Sequence, residues 1–406
     1  MKRIVSLLLI AVLALGTLAG CGSSSTPASS TPAASQGEAS TAGTDTPAPA
    51  EKGTIKLGVL APLTGTNAEY GKGFEVGMKM AVDKINAAGG ANGYQLELVV
   101  KDSKGDAKES SDLARQFADD ESVLAILGDF TSGSCMANAP IVDEAGIVQL
   151  SPTASNPDYA AMSPYCFSIM GRQDGEAPFY AKYILQKYMG MKKVGVIYIN
   201  SDWGQSCYDN FKKEADAIGL EIVETVSYVQ DEKDFSSLIT KLKAANPEVI
   251  AIMDQGAVPQ VINQIRGTGW DIPITTLGPG TSQQLLDLAG ANAEGLLLTS
   301  PFFFNEDDKD LMAWKEEFVS KAGFQPTIHP ACAYDTVNLI AAAIEASGDG
   351  EVTRQTIRDN LAAVEMTGVT GPIKFNEAGD ITRQYLICGV ENGKYVIKEG
   401  FDYSKS

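Results

Sequence analysis

The sequence predicts an α/β protein of two doubly wound lobes, each a parallel sheet with helices on both faces. Apolar strand-like runs alternate with amphipathic helical stretches along most of the chain, and the alternation restarts after about residue 170. At 406 residues the chain also exceeds one usual domain. Each apolar run breaks into a small polar loop, and open α/β sheets bind ligands at that carboxyl-terminal edge.

The first segment stands apart. Residues 1–20 have a basic start at Lys2 and Arg3, an apolar run from Ile4 to Leu15, and GTLAG before Cys21, the layout of an export signal rather than of a spanning helix. Leu18-Ala19-Gly20-Cys21 resembles the bacterial lipobox. That resemblance implies lipid attachment at Cys21 and anchoring to the outer face of a membrane. Residues 21–53 are Ser, Thr, Ala, Pro and Gly with almost no large apolar residue, so they read as a tether that cannot bury enough surface to fold.

The folded part opens with the strand-like IKLGVL, which stops at Pro62 and is followed by the polar loop LTGTNAEYGKG. Phe74, Met78, Ala81, Val82 and Ile85 fall at helical spacing, with Glu75, Lys79 and Asp83 on the solvent face. A strand at Tyr94–Lys101 and a helix at Ser110–Phe117 lead to AILGDFTSGSCMANAPIVDEAGIVQLSPTASN, which reads strand, loop, helix, strand, loop. Two strands joined through a helix are parallel, so both polar loops leave the same sheet edge and Ser132 and Ser155 face one cleft. The free N–H groups at the start of that helix favour an anion such as a carboxylate. Simple helix capping by Thr131, Ser132 and Ser134 is the other reading of the same residues.

Past the strand-like Cys166–Met170, a second α/β unit runs to about Leu277, with polar loops at SDWGQ and MDQGAVP. Two such lobes facing each other make a cleft. Strand-like Ala293–Phe304 follows, then helices at Lys309–Lys321, Cys332–Ala346 and Arg354–Leu361. Short strands close the chain, with Asn392-Gly393 as a hairpin signal.

A net charge of -19 argues against a nucleic-acid partner. Apart from Cys21, the cysteines Cys135, Cys166, Cys207, Cys332 and Cys388 are odd in number, widely spaced and without a CxxC, so no zinc site is expected and buried thiols are. No HExxH, GxSxG or Walker A pattern is present, and no cofactor is expected. A hydrolase would need Ser132 with His329, the only histidine, and no third orienting group is apparent.

Together IKLGVLAPLTG, EYGKGFEVGMKMAVDKINAAGG, YQLELVVKDSKGD, GDFTSG, APIVDEAGIVQLSPTASNP, AEGLLLTSPFF and YDTVNLI resemble the Leu/Ile/Val-binding family of extracellular solute-binding proteins that serve ABC importers. The resemblance runs from Ile55 to about Lys398. It implies the type I periplasmic-binding-protein fold, with a three-strand hinge, residues 54–170 and 302–372 in lobe 1, and residues 171–301 and 373–403 in lobe 2. It implies an amino acid or related small carboxylate as ligand, a membrane permease as partner, and hinge closure as the signal.

Carried over position by position, Ser132 holds the ligand's carboxylate, Thr153 and its neighbour Ala154 offer backbone groups, and Ser155 bonds the ligand head. Tyr70 lines the side-chain pocket, and Trp203 stands where the family often has a tyrosine that closes over the ligand. Asp254 stands where amino-acid binders often place an aromatic residue, and His329 near a place that borders the pocket. Gly280 occupies the position of the glutamate that pairs with the ligand's ammonium in aliphatic binders. Asp254 or Asp202 then supplies the missing charge, or the ligand has no α-ammonium, since an unpaired buried ammonium is costly. Asp254 also reads as a helix cap, and a sensor presenting the same cleft to a signalling partner is the third functional reading.

Overall fold

The computed structural model describes residues 52–398; the leader, Cys21 and nearly all of the tether lie outside the described residues. Strand β1 (Gly53–Ala61) opens the folded body, followed by α1 (Ala68–Ala87), β2 (Tyr94–Asp102), α2 (Ala107–Asp119), β3 (Val123–Leu127), α3 (Ser132–Ala145), β4 (Val148–Ser151) and β5 (Cys166–Ser168). These strands form a parallel sheet in the order β2-β1-β3-β4-β5. β1 is buried from Leu57 to Ala61, as the apolar run LGVLA requires of a strand covered on both faces.

The chain then passes to a second sheet. Helix α4 (Gln173–Phe179) continues into a π-helical segment at Tyr180–Tyr188. Next come β6 (Lys193–Ile199), α5 (Asp202–Ile218), β7 (Glu221–Tyr228), α6 (Ser236–Ala244), β8 (Val249–Met253), α7 (Val258–Gly267), β9 (Ile274–Thr276), α8 (Gln283–Ala289) and β10 (Leu297–Ser300). The chain returns with α9 (Lys309–Ala322), α10 (Ile328–Glu345), α11 (Arg354–Ala363) and the hairpin of β11 (Glu365–Gly368) and β12 (Gly371–Lys374). It ends in β13 (Leu386–Glu391) and β14 (Lys394–Ile397), which complete a seven-stranded sheet in the order β14-β13-β10-β9-β8-β6-β7. Only β13 runs against the other strands of that sheet, pairing antiparallel with both β10 and β14. The Asn392-Gly393 turn between them has both residues at positive φ, as the sequence predicts.

Most elements fall within two or three residues of their sequence expectation, and the exceptions have physical reasons. Helix α10 starts at Ile328, before the expected Cys332, because Pro330 sits in its first turn, where a missing N–H breaks no intrahelical bond. Helix α8 was not expected, its seven residues being too few to show a period. Helices α1 and α10 pack through one core that joins Phe74, Met78 and Ala81 to Val337, Ile340 and Ile344. Gly77 permits their approach: a Cβ there would lie 2.4 Å from the carbonyl oxygen of Pro330. All five cysteines of the described residues are buried and free.

Asp335 of α10, fully buried, ties the β11–β12 hairpin to this core. Its carboxylate accepts from the N–H of Val369 at 2.9 Å, the N–H of Thr370 at 2.9 Å and the Thr370 hydroxyl at 2.7 Å. Asp335→Ala strands these donors and is expected to cost about 3 kcal/mol in denaturant unfolding, with Asp335→Asn costing less than half as much because one acceptor oxygen survives. A loss below about 1 kcal/mol for the alanine variant would show that the hairpin does not depend on this carboxylate.

Candidate functional site

The loops at the carboxyl ends of the two parallel sheets meet across a cleft, and the lobes are closed on each other. From the first lobe, Tyr70 on α1 donates its hydroxyl to the Gln255 carbonyl at 2.7 Å, and Thr66 donates to the Asp231 carboxylate at 2.7 Å. Glu69 accepts from the N–H groups of Gln283 and Gln284, both at 2.8 Å, at the start of α8. Burial pushes its carboxyl pKa up, against the lowering effect of those two bonds. From the second lobe, Trp203 in the first turn of α5 donates its indole N–H to the Ser155 hydroxyl at 3.0 Å.

Residues singled out in the sequence fall into two groups. Ser132 opens α3, with Thr131 as its N-cap accepting from the Ser134 N–H, and the Ser132 hydroxyl oxygen accepts from the Asn156 N–H at 3.2 Å. Thr153 donates to the Phe130 carbonyl at 2.8 Å, and the Ala154 carbonyl accepts from Ser168. The Ser155 carbonyl accepts from the Gln173 N–H at 2.9 Å. Tyr70 stacks on Phe130 with ring centres 4.4 Å apart, and the His329 ring meets its edge at 4.8 Å. Thus Ser132 and Ser155 are brought to one place, and Tyr70 and His329 to another in the same lobe.

The second group faces open space. A cavity of about 260 Å³ lies between the lobes, lined from one side by Thr66, Asn67, Thr131, Gly133 and Ser134, and from the other by Asp202, Trp203, Tyr228, Asp254 and Gln260. Of the residues singled out as ligand contacts, Trp203 and Asp254 line it. Tyr70, Ser132, Thr153, Ala154, Ser155, Gly280 and His329 are outside its lining. Asp254 combines both of its readings: its carboxylate accepts from the N–H groups of Gln255 and Ala257 ahead of α7, and it stands at the cavity wall. Gly280 ends a tight turn, where a Cβ would meet Thr276 Oγ1 at 3.0 Å and Val258 at 3.3 Å, so an acidic side chain there would need its neighbours to shift. Asp202 reaches across the cleft, its carboxylate 2.8 Å from the position a Cβ on Gly133 would take at the start of α3.

Sequence reasoning missed Tyr228, Gln260 and the Thr66–Asn67 pair. Tyr228 ends a strand and Gln260 lies within a helix, so neither carries a local signal. Thr66 and Asn67 lie in the polar loop after β1, whose position at the sheet edge was the available clue.

Among the described residues there is no group of three or more His, Cys, Asp or Glu side chains able to hold a metal, and no helix long and apolar enough to cross a membrane.

The periplasmic binding protein family matches the chain over residues 54–394. Leu/Ile/Val-binding protein homolog 3 of Brucella melitensis is 30% identical over 349 residues, which are 84% of this chain and 93% of the relative. The leucine-, isoleucine-, valine-, threonine- and alanine-binding protein of Pseudomonas aeruginosa is 29% identical over 335 residues, 81% of this chain and 87% of the relative. The structure of the branched-chain amino acid transporter substrate binding protein LivJ from Streptococcus pneumoniae in complex with isoleucine matches with a TM-score of 0.78 at 27% identity, covering 85% of this chain and 99% of that one.

His329 supplies a pH test of the closed core behind the cavity. It is 1% exposed, its Nδ1 is 2.9 Å from the Thr327 hydroxyl, and its Nε2 has no hydrogen-bond partner. Burial pushes its pKa down to about 3 from the ordinary 6.5. Below the ordinary value the unfolded chain takes up a proton that the folded chain refuses, so stability is lost as pH falls from about 6.5 towards 3. Between about pH 6.5 and about pH 4.5 this amounts to about 2 kcal/mol. Urea unfolding of His329→Gln is expected to lose about 2 kcal/mol less than the wild type over that interval; parallel pH profiles would contradict a neutral buried imidazole.

Proposed function

Because the chain belongs to the periplasmic-binding-protein family, in its Leu/Ile/Val-binding branch, we propose that it captures an α-amino acid between its lobes and delivers it to an ABC permease by closing its hinge. It is an extracytoplasmic solute-binding protein of that family and not an enzyme. The observation that carries the ligand reading is the closed interlobe cavity, bounded on one side by the start of α3 and on the other by a buried acid, Asp254. The N–H groups opening α3 suit a carboxylate, and Asp254 suits an ammonium. Asp254 thereby takes the part of the acid that Gly280 lacks. Ser132, which the reading taken from the family gives to the ligand's carboxylate, lies outside the cavity lining and holds the Asn156 N–H beside the start of α3.

Closure is the signal in this proposal. A ligand that touches both walls binds the closed form better than the open one, and only that difference in affinity shifts the population. The lobes meet at Ser155–Trp203, Tyr70–Gln255 and Glu69–Gln283, so the ligand adds to contacts the protein already makes.

A thermal-shift screen of the protein against the amino acids, and against carboxylates without an amino group, tests this reading. At least one α-amino acid is expected to raise the melting temperature, and Asp254→Asn to weaken its binding by about 1 to 3 kcal/mol, the scale of a lost bond to a charged group. A shift only with carboxylates that lack the ammonium would remove the amino acid from the proposal.

The anchor is a further part of it: Cys21 carries lipid, and residues 22–53 let the folded body reach the permease from the membrane surface. Cys21→Ser expressed in a bacterial host is expected to move the protein from the membrane fraction to the soluble extracytoplasmic fraction. Retention of the variant in the membrane would exclude lipid at this position as the anchor.

A further inference from the structure

We infer that the second-lobe wall of the cavity reads a cationic side chain, so that the ligand is a basic amino acid and not an aliphatic one. This deepens the amino-acid reading and rests on it. A leucine or isoleucine side chain calls for an apolar pocket, because covering buried polar atoms with hydrocarbon leaves their hydrogen bonds unmade. This wall sets polar and acidic groups beside the apolar Ile199, Trp203 and Ala257. Between the end of β7 and α7 it presents Tyr228, Gln230, Asp231, Glu232, Asp254 and Gln260.

Two of those groups have acceptor oxygens left to offer. Tyr228 is 6% exposed, and its hydroxyl lies beside the Asp254 carboxylate, the group it donates to, so the lone pairs of its oxygen remain to accept. The side-chain oxygen of Gln260 is buried without a partner, and that atom can only accept. Buried acceptors are normally paired, so two of them on one cavity wall point to a donor that enters with the ligand. An ammonium carries three N–H donors and a guanidinium five, and neither brings an acceptor that would compete. The rings of Trp203 and Tyr228 on the same cavity suit a cation over their faces as well.

The charges agree with this assignment. An amino acid's own ammonium and carboxylate are met by Asp254 and the start of α3, which leaves Asp231 and Glu232 at the mouth of the same wall. The Asp231 carboxylate accepts one hydroxyl bond from Thr66 across the cleft, and Glu232 accepts from the N–H groups of Lys233 and Asp234. Lys233 is the one cation lining the cavity among the described residues, and its side chain is exposed. A second positive charge on the ligand would face this acidic mouth, where a neutral side chain would gain nothing from it.

Isothermal titration calorimetry of the protein with L-arginine, L-leucine and putrescine tests the inference, repeated on the double variant Tyr228→Phe with Gln260→Leu. Arginine is expected to bind at least tenfold tighter than leucine, and the double variant to narrow that ratio at least tenfold. The variant's melting temperature without ligand, read beside its affinities, separates a loss of folding from a loss of selectivity, since only the latter changes the ratio between the two amino acids. Leucine binding as tightly as arginine, or a ratio untouched in the variant, overturns the inference and leaves the amino-acid reading standing. Putrescine binding while both amino acids fail keeps the cationic wall and overturns the amino-acid reading. No heat with any of the three overturns the inference, while the amino-acid reading falls only if the thermal-shift screen also finds no amino acid.

Discussion

Burial of Trp203 between the lobes is the constraint on which the rest of the site depends. The indole comes from the second lobe, is 1% exposed, and reaches the Ser155 hydroxyl of the first. Its carbonyl accepts from the Gln173 side chain, and the neighbouring Asp202 carbonyl accepts from Asn156, so the same turn is bonded from both sides of the cleft. A tryptophan needs a partner for its N–H when buried, and here that partner comes from the other lobe. Gly204 lets the turn form at all, since a Cβ there would fall 1.9 Å from the Ile199 carbonyl oxygen. Closure therefore brings the first turn of α5 to the start of α3 and bounds the cavity.

The segments that cross between the sheets are held by charge. Arg172 pairs with Asp380 at 2.9 Å and with Asp174 at 2.7 Å. Burial pushes the Asp380 carboxyl up to about 6, with Arg172 pulling the other way. Arg383 donates to the Ile169 carbonyl at 2.8 Å and the Thr370 carbonyl at 2.6 Å, so one guanidinium spans two of the crossings. Its five donors in a fixed plane make this a rigid clamp where a lysine would hold one point. Glu176 works at the other end, accepting from the Gly278 N–H at 3.0 Å and the Thr299 hydroxyl at 2.5 Å, which fixes the loop carrying Gly280 to the end of β10. These polar clamps sit where motion must be guided, while the apolar clusters lie within each sheet layer.

The cavity divides its work between lobes. The first lobe brings the start of a helix, with its free N–H groups; the second brings acids, a phenol and an amide oxygen. A molecule that fills the cavity would touch both walls.

The fold was legible in the sequence because it is written in local periodicity. The buried run IKLGVL, the helical spacing of Phe74 to Ile85 and the Asn392-Gly393 turn each declare an element without reference to distant residues. So were the edge loops that carry Ser132, Ser155, Trp203 and Asp254, since parallel connection places successive loops on one side of a sheet. What only the tertiary structure decided is which of those side chains meet. Tyr228 and Gln255 are separated from Thr66 and Tyr70 by more than a hundred residues, yet share one cleft, and no period within the chain encodes how closely two lobes approach. Helix α8, with its seven residues, and the unpartnered side-chain oxygen of Gln260 belong to the same class. Whether a polar atom is satisfied depends on every neighbour in three dimensions, whereas whether a residue faces a core depends mainly on its place in a local repeat.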